Sequence, residues 1–267
     1  MSFDGAWLDL REPADAAARD AGLLAAAARS LEGDAVVLDL GCGTGATVRA
    51  FAGRTGGRVR WRLLDRDPAL LRQAAARCHR AETIVADLAP VDGLPLDGMA
   101  LVTASALFDL ASAAWIEALA TRLAAARIGL YAALTVDGML AWEPALPGDP
   151  AVVAAFGEHQ RRDKGLGPAL GAGAAAALAR ALARRGFDVR SAPSPWRLGP
   201  AEAGLQRALV VGIARAAAET GFAGAVAWGQ AREAASSASG CVVGHVDLLA
   251  TPLGVRAQSK ITSESRP

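Results

Sequence analysis

Short apolar segments rich in valine and leucine alternate along the chain with longer alanine-rich segments that carry spaced charges. The short runs predict strands and the longer stretches predict helices. The predicted strands are residues 35–40, 58–64, 83–86, 99–104, 128–135, 187–198 and 241–250. Strands that alternate with helices at this spacing indicate an α/β fold, in which a parallel sheet has helices on both faces. A ligand of such a sheet binds at the carboxyl ends of its strands.

Local signals mark several boundaries between these elements. Asp67 precedes a proline and Ser112 precedes an apolar stretch, so both are predicted helix N-caps. Residues 9–31 have a helical composition and predict a lid or packing helix before the first strand. Residues 136–139, Val-Asp-Gly-Met, predict a hairpin turn with a short return strand to residue 142, because Asp-Gly supplies the positive φ angles of a type I′ turn.

The amino-acid composition argues against several classes of protein. The 267 residues include 28 basic and 27 acidic side chains and 52% apolar residues, which suffice for a sizeable core in one or two domains. A net charge of +1 gives no support for a nucleic-acid partner. Three widely separated cysteines without a Cys-x-x-Cys pair argue against a disulfide framework and a structural zinc, so we expect no metal.

Uncharged apolar runs stay shorter than the roughly 18 to 20 residues of a membrane-spanning helix. We therefore expect a soluble, cytoplasmic protein without a membrane partner, as a monomer or a homodimer.

The segment from Val36 to Gly45, Val-Val-Leu-Asp-Leu-Gly-Cys-Gly-Thr-Gly, carries the clearest chemistry. Its alternating glycines let the backbone turn sharply and approach a ligand at the start of a helix, where N–H groups favour a negative charge. The same glycines also satisfy the permissive dinucleotide fingerprint, so a nicotinamide cofactor is the main alternative. Asp39, at the end of a buried strand, requires a nearby cation, which an α-amino group of a ligand would supply.

The run from Asp39 to Gly45 resembles the D-x-G-x-G-x-G motif of class I S-adenosylmethionine-dependent methyltransferases. Asp65 and Asp87, after the second and third strands, resemble the family's ribose and adenine ligands. The second of these acids favours this family over nicotinamide enzymes. The resemblance covers residues 35–135 and implies a Rossmann-like doubly wound sheet of seven strands, mostly parallel, with an antiparallel last strand and an N-terminal helical lid.

The resemblance implies S-adenosyl-L-methionine as cofactor, with S-adenosyl-L-homocysteine as product. The cofactor-binding residues that it implies are Asp39, Gly41, Cys42, Gly43, Gly45, Asp65, Arg66, Asp87, Leu88 and Ser105. Arg11 resembles a lid residue that contacts the cofactor carboxylate. The acceptor is expected to be a small molecule, since the loop after the fourth strand lacks the Asn-Pro-Pro-Tyr type signature of enzymes that methylate nucleobase amines.

Candidate catalytic and substrate residues come from the loop after the fourth strand and from the second half of the chain. Asp109 is the first candidate base and His159 the second. Arg161 and Arg162, with a lysine close by, could clamp an anionic substrate, although a solvated helix end is the favoured interpretation. Trp142 could form an apolar wall for an aromatic substrate, or belong to the core.

The expected organisation is a single methyltransferase domain over residues 1–253. Within it, residues 1–33 form the lid, 34–136 the cofactor-binding half and 137–253 the substrate-binding half, and 254–267 are expected to be a flexible tail. The expected reaction is an in-line methyl transfer in which the protein mainly aligns the acceptor. The alternatives are a catalytically inactive S-adenosylmethionine-binding protein and a NAD(P)-dependent oxidoreductase. His245 and Asp247, which alternate on the last strand, are interpreted as a structural polar pair.

Overall fold

The computed structural model describes residues 4–56 and 58–254. Its strands are β1 (Val36–Leu40), β2 (Arg60–Asp65), β3 (Ala81–Val85), β4 (Leu101–Ser105), β5 (Gly129–Glu143), β6 (Phe187–Pro193), β7 (Trp196–Leu198) and β8 (Gly240–Pro252). Its helices are α1 (Gly5–Ala18), α2 (Ala21–Arg29), α3 (Ala46–Phe51), α4 (Pro68–Arg77), α5 (Ala113–Ala126), α6 (Asp149–Gln160), α7 (Ala174–Ala183), α8 (Ala203–Glu219) and α9 (Ala225–Ala235).

The strands form one sheet in the order β3-β2-β1-β4-β5-β8-β6, and β7 pairs with β8 beside this path. Strands β1 to β5 are parallel to one another, whereas β8 runs antiparallel to β5, β6 and β7. The predicted Rossmann-like α/β fold, with seven strands in the main path and an antiparallel last strand, is confirmed. The short strand β7 is additional, because the predicted strand 187–198 divides in two at Ser194 and Pro195.

The predicted hairpin after the fifth strand is wrong. β5 continues through the Asp-Gly pair and stays paired with β8, with register shifts on either side of Val136. Gly138 has the positive φ that the pattern implied, +92°. That angle forms an irregularity within a long strand, since β8 supplies hydrogen-bond partners on both sides of the shift.

The predicted N-terminal helix over residues 9–31 is two helices. Asp20 accepts a hydrogen bond from the Leu23 backbone at 2.7 Å and starts α2 anew after α1 ends. The predicted N-caps Asp67 and Ser112 are both confirmed at the starts of α4 and α5.

Buried apolar side chains form three clusters. Two cover the opposite faces of the parallel strands, one against α5 and α7 and the other against α2, α3 and α4. The third lies where the long ends of β5 and β8 meet α6, α8 and α9. The carboxyl ends of β1 to β4 lie where α1 and the segment after α6 approach the sheet, and the cleft described below opens there.

Among residues 4–56 and 58–254, helices long and apolar enough to cross a membrane are absent. Apart from Gly254, the predicted tail lies outside the described residues, as do the first three residues of the predicted lid.

Candidate active site

The turn between β1 and α3 has three glycines in the left-handed region. Gly41, Gly43 and Gly45 have φ angles of +62°, +54° and +84°. A Cβ at Gly45 would lie 2.5 Å from the Cys78 sulfur, so this glycine allows the turn to pack against the end of α4. A Cβ at Gly41 would instead face Leu107 at 3.5 Å, on a wall of the cleft. The absence of a side chain at Gly41 therefore leaves space in the cleft itself.

The structure brings most of the predicted cofactor residues to this cleft. Those that line it are Gly41, Cys42, Gly43, Asp65, Arg66, Asp87, Leu88 and Ser105. They come from four strand ends that are far apart in sequence and aligned by the parallel register. The described walls do not include Asp39, which lies beneath the glycine turn, or Gly45, whose Cα faces Cys78.

Asp65 is held by the backbone on both sides of its carboxylate. Its Oδ2 accepts a hydrogen bond from the Gly43 amide at 2.9 Å, and its Oδ1 accepts one from the Asp67 amide at 3.0 Å. A carboxylate has about four acceptor positions, two on each oxygen. Asp65 therefore keeps one further acceptor position on each oxygen at the cleft wall, and the two amides fix its orientation.

Asp39 lies beneath the glycine turn and is only 1% exposed. Its Oδ1 accepts a hydrogen bond from the Thr103 hydroxyl at 2.7 Å, while its Oδ2 has no donor in the described part of the chain. Burial raises the pKa of Asp39 to about 7, against the opposing effects of Thr103 and of the positive charge on Arg19. Arg19, which donates to the Ser105 hydroxyl at 3.0 Å, supplies near Asp39 a positive charge that the sequence analysis assigned to an α-amino group of a ligand.

The remaining cofactor candidates divide into exposed and buried groups. Asp87 is exposed at the cleft, and its Oδ1 accepts a hydrogen bond from the Ala89 amide at 3.0 Å. Cys42 is buried, and burial raises the pKa of its thiol well above the ordinary value, so the thiolate is disfavoured at neutral pH. Cys42 thus contributes shape to the cleft and is a poor nucleophile.

Helix α1 covers the glycine turn and is fastened there by two ion pairs. Glu12 binds Arg49 of α3 through two contacts of 2.6 Å, and Arg49 also donates to the Thr44 carbonyl at 2.7 Å. Asp9 pairs with Arg77 at the end of α4. The predicted lid is therefore tied directly to the loop that it covers.

Three residues of α1, Leu8, Arg11 and Asp15, also line the cleft, and the sequence analysis named Arg11 alone of the three. Arg11 donates to the Asp15 carboxylate at 2.9 Å and 3.1 Å. Their i, i+4 spacing with opposite charges was readable from the sequence, but their position at the cleft depends on where α1 packs.

Asp109, the first candidate base, lies in a short 3₁₀ turn between two residues that line the cleft, Leu107 and Leu110. The side chain is buried, at 7% exposure, and lies behind the described cleft walls. Burial raises the pKa of Asp109 to about 6, although its own backbone N–H and the positive charge of Arg11 act in the opposite direction. At neutral pH the carboxylate form still predominates.

His159, the second candidate base, is placed away from the cleft. Its Nε2 lies 3.0 Å from Glu219 of α8, and its Nδ1 lies 3.4 Å from the Lys164 ammonium. Lys164 is the member of this polar stretch that lines the cleft. Burial and the charge of Arg162 lower the pKa of Lys164.

The predicted anion clamp, Arg161 and Arg162, also lies away from the cleft. Arg162 donates to the Glu219 carbonyl at 2.8 Å at the end of α8, and Arg161 is an exposed residue at the end of α6. The structure thus places both arginines at helix ends and outside the cleft. The chain reverses after α6, and this reversal brings Lys164 back to the sheet while both arginines stay outside.

The proposed aromatic wall at Trp142 is also not part of the cleft. Trp142 belongs to the third apolar cluster, where its ring packs edge-on against Trp228 at 5.3 Å and Arg232 lies 5.0 Å from the ring centre. The core interpretation of Trp142 is the one that the structure supports, since this end of β5 carries its side chains toward α6 and α9.

Comparison with protein families agrees with this geometry. Residues 37–127 match the family model of a methyltransferase domain. These residues are similar to a methyltransferase domain, in agreement with the resemblance of the glycine turn to class I S-adenosylmethionine-dependent methyltransferases. The matched segment runs from β1 to the end of α5 and so contains the glycine turn and the acids of the cleft. S-adenosylmethionine is its cofactor, as the resemblance implied. No curated protein matches the chain by sequence.

Solved structures are similar to this chain at low sequence identity. A protein from Anaeromyxobacter dehalogenans described as a type II methyltransferase is 18% identical, with 88% of this chain and 96% of that chain covered and a TM-score of 0.50. A cyclopropane synthase from Mycobacterium tuberculosis is 12% identical, with 85% and 82% covered and a TM-score of 0.49. The "possible exported protein" of Bordetella parapertussis is 15% identical, with a TM-score of 0.47; 87% of this chain is covered and 66% of that chain, about two thirds of its length.

Three features of the cleft suit S-adenosylmethionine. Gly41 leaves room where any side chain would enter the cleft. Asp65 keeps two acceptor positions, which suit the two neighbouring hydroxyls of a ribose. Asp39 Oδ2, buried and without a donor in residues 4–56 and 58–254, is an unused acceptor beneath a ligand that carries positive charge on sulfur and on its amino group.

Proposed function

We propose that this chain transfers the methyl group of S-adenosylmethionine to a small-molecule acceptor. The observation that carries the proposal is the arrangement around Asp65, whose carboxylate is oriented by two backbone amides at the cleft while α1 covers the glycine turn. A helix fastened over the cofactor end limits access to the cleft, and this favours small acceptors over polymers.

In this proposal the cofactor is bound by the glycine turn and the acids of the cleft. Gly41 and Gly43 provide close backbone approach, Asp65 accepts hydrogen bonds from the ribose, and Asp87 accepts one from the adenine amine. Arg66, Leu88 and Ser105 complete the walls, and Cys42 contributes packing. Asp39 and Gly45 act from behind the turn, the first by charge and the second by allowing the turn to pack.

Bound S-adenosylmethionine supplies a methyl group on a positively charged sulfur. The chain's own residues then orient the bound cofactor and the acceptor, and they exclude water from the cleft. Helix α1 and the segment 164–166 cover the cleft from two sides, and Leu8, Leu107 and Leu110 make its inner wall apolar. Because alignment accounts for much of the catalysis of such a displacement, a rigid cover over the cleft serves the reaction directly.

In the same proposal, each segment of the chain has its own role. Residues 34–136 supply the cofactor half, and residues 137–253 supply the acceptor half, from which Lys164 also reaches the cofactor cleft. Residues 1–33 act as the lid, within one domain that extends to residue 253.

The nicotinamide alternative finds no support at the chain's one tyrosine. Tyr131 is fully buried in β5, and its hydroxyl lies 3.2 Å from the Asp247 carboxylate. Burial and this neighbouring negative charge raise the pKa of Tyr131, so the phenol is a poor proton donor for hydride-transfer chemistry.

Methyl transfer from labelled cofactor tests the proposal. The purified chain is incubated with S-adenosylmethionine labelled in its methyl group and with two fractions of a cell extract, one of small molecules and one of macromolecules. We expect label in the small-molecule fraction, and at least tenfold less when the Asp65→Ala variant replaces the wild type at a cofactor concentration below its dissociation constant. Label in the macromolecular fraction alone would contradict a small acceptor. Calorimetry with S-adenosylhomocysteine, NAD and NADP in parallel checks the cofactor, and binding of a nicotinamide nucleotide would contradict it.

A further inference from the structure

Arg11 and Asp15, which both line the cleft, form a hydrogen-bonded triad with Trp196 of β7. Arg11 donates to the Asp15 carboxylate at 2.9 Å and 3.1 Å, and the Trp196 indole N–H donates to the same carboxylate at 2.9 Å. The Arg11 guanidinium also lies 5.0 Å from the centre of the Trp196 ring. This cleft triad therefore holds the guanidinium both by an ion pair and by contact with an aromatic face.

Asp15 is the one buried side chain of α1, all of which the structure describes. A carboxylate that leaves water needs charged or hydrogen-bonding partners. Its Oδ1 accepts hydrogen bonds from both Arg11 and Trp196, and its Oδ2 accepts one from Arg11. Since each carboxylate oxygen has about two acceptor positions, Oδ1 is fully used. Trp196 therefore helps to fix the carboxylate that orients Arg11.

The short strand β7 carries Trp196 to α1. Trp196 pairs with Val243 of β8, and the side chains of β7 alternate, with Trp196 and Leu198 buried and Arg197 exposed. This alternation directs Trp196 to the buried side of the strand, where it meets Asp15. Although β7 lies beside the main path of the sheet, it is thereby linked to a wall of the cleft.

The Trp196 ring has two further aromatic neighbours. Its centre lies 6.5 Å from that of the Trp7 ring and 5.2 Å from that of the His245 imidazole. Burial lowers the pKa of His245 to about 4, and the positive charge of Arg11 acts in the same direction, so the imidazole is neutral at neutral pH. His245 therefore packs against Trp196 without placing a second positive charge beside Arg11.

The interpretation of His245 and Asp247 as a polar pair is correct for Asp247 alone. The Asp247 carboxylate accepts hydrogen bonds from the Leu134 amide at 2.8 Å and the Asp20 amide at 2.9 Å, and it ties β5 and α2 to β8. His245, two residues earlier on the same face of the strand, has no share in these contacts and adjoins Trp196 instead.

A second triad of the same residue types lies in the third apolar cluster. Arg232 pairs with Asp149, and the Trp228 indole N–H donates to Asp149 at 2.9 Å. The Arg232 side chain is fully buried, and its Nη1 donates to the Pro144 carbonyl at 2.9 Å, while its Nε and Nη2 bind Asp149. In this buried triad, all three guanidinium nitrogens therefore have a partner within the protein.

Arg11 differs from Arg232 in keeping one nitrogen unused. Within residues 4–56 and 58–254, Asp15 is the only hydrogen-bond partner of Arg11, through Nε and Nη2, so both N–H groups of Nη1 stay open. Arg11 lines the cleft although its side chain is only 11% exposed. A guanidinium held in one orientation, with open N–H groups at a cleft wall, favours an anionic group of a ligand.

We propose that Trp196 is a positioning residue of the cofactor site, which through Asp15 orients Arg11 to bind the carboxylate of S-adenosylmethionine. This rests on the proposed function, in which the cofactor occupies the cleft. The carboxylate is the anionic group of this cofactor. Its roughly four acceptor positions allow Arg11 to bind it from α1 together with Lys164 from the segment 164–166.

Calorimetry with two nucleosides separates this role from a general loss of structure. S-adenosylhomocysteine carries the carboxylate, whereas 5′-methylthioadenosine has the same adenosine and sulfur without it. Arg11→Gln is expected to weaken S-adenosylhomocysteine binding about tenfold, and Trp196→Phe, which keeps a ring and removes the indole N–H, about three- to tenfold. Both variants should bind methylthioadenosine within about twofold of the wild type. The double variant should be no weaker than Arg11→Gln alone, because both changes act on one contact.

The orientation of Arg11 is measured without ligand, by nuclear magnetic resonance of the exchange of arginine Nε–H groups with water. The Arg11→Lys variant identifies the signal of Arg11. Exchange at Arg11 should accelerate about fivefold or more in Trp196→Phe, while the Arg232 signal of the buried triad stays unchanged. The matched control is Trp228→Phe, which removes an indole N–H from Asp149 and should leave Arg11 exchange and nucleoside affinity as in the wild type.

Equal losses for the two nucleosides in Trp196→Phe, additive losses in the double variant, or unchanged exchange at Arg11 would each overturn the proposal. Asp15→Asn breaks the same link at its carboxylate and should give the pattern of Trp196→Phe, so the proposal is tested even where the tryptophan variant does not fold. The proposed function fails separately, if neither nucleoside binds the wild type. Accelerated exchange at Arg11 in Trp196→Phe would then still support positioning by Trp196, and unchanged exchange would contradict it.

Discussion

Glu12 of α1 and Arg49 of α3 form a two-point ion pair, with both contacts at 2.6 Å, directly above the glycine turn. Each side chain is about one quarter exposed, and the Arg49 guanidinium also binds the turn through the Thr44 carbonyl. One arginine therefore joins the lid, the first helix of the cofactor half and the loop between them. The position of the lid therefore depends on its contacts with the cofactor turn as well as on α1 itself.

Weakening this ion pair is expected to loosen α1 before it affects the rest of the fold. In Glu12→Gln, amide hydrogen exchange over Gly5–Ala18 should accelerate about three- to tenfold, as for the loss of about 1 kcal/mol of local stability. The matched control is Glu82→Gln, which removes the exposed pair between Glu82 and Arg62 on the sheet edge. Equal exchange over α1 in the two variants would contradict a fastening role for Glu12.

Asp65 is expected to be the acid on which cofactor affinity depends most. Asp65→Ala removes the acceptor positions at the cleft and the hydrogen bond to Gly43, and should weaken S-adenosylhomocysteine binding by about 1.5–3 kcal/mol. Calorimetry measures the change, and Asp188→Ala, an exposed acid on β6, is the control. Affinity that stays within twofold of the wild type would remove Asp65 from the binding site.

Lys164 is expected to bind an anionic group at the cleft, in the place predicted for Arg161 and Arg162. Lys164→Gln should weaken S-adenosylhomocysteine binding about tenfold by loss of a charged hydrogen bond to its carboxylate. Arg161→Gln and Arg162→Gln are the matched controls, since these cations lie outside the cleft, and both should bind as the wild type does. Unchanged affinity in Lys164→Gln would remove Lys164 from the cofactor site.

His159 is expected to act through Lys164 as a positioning residue. His159→Gln should give part of the loss seen in Lys164→Gln, and the double variant should be no weaker than Lys164→Gln alone, because within the described residues the imidazole pairs with the lysine and Glu219. Fully additive losses in calorimetry would show that His159 acts independently.

Asp39 is expected to make the free energy of unfolding depend on pH. Burial raises the pKa of Asp39 from its ordinary value of 3.8 to about 7, so the folded chain holds this proton more tightly than the unfolded chain does. The stabilisation is complete below about pH 4 and is lost as pH rises through about 7, by up to about 4 kcal/mol.

Urea unfolding of the wild type and of Asp39→Asn at several pH values measures this dependence. The stability of the variant relative to the wild type should rise between about pH 4 and about pH 7. Asp109 acts in the same direction and His245 in the opposite one, because its pKa is lowered. Both are unchanged in the variant, so the difference isolates Asp39, and parallel pH curves would refute the assignment.

The sequence by itself determined the features that depend on neighbours along the chain. The glycine turn, the N-caps at Asp67 and Ser112 and the acids at the strand ends were all readable, because each combines a strand end with the residues that directly follow it. Parallel strands present their carboxyl ends on one edge of the sheet, and so Asp65 and Asp87 could be placed in one cleft without coordinates.

The tertiary structure alone decided which polar and aromatic residues of the second half reach that cleft. His159, Arg162 and Lys164 lie within six positions of one another, yet the turn after α6 directs only Lys164 to the cleft. The Asp-Gly pair of β5 formed an irregular strand because β8, about a hundred residues later, supplies its partners. Contacts between distant segments set these outcomes, and local pattern carries no information about which side chain such a contact leaves without a partner.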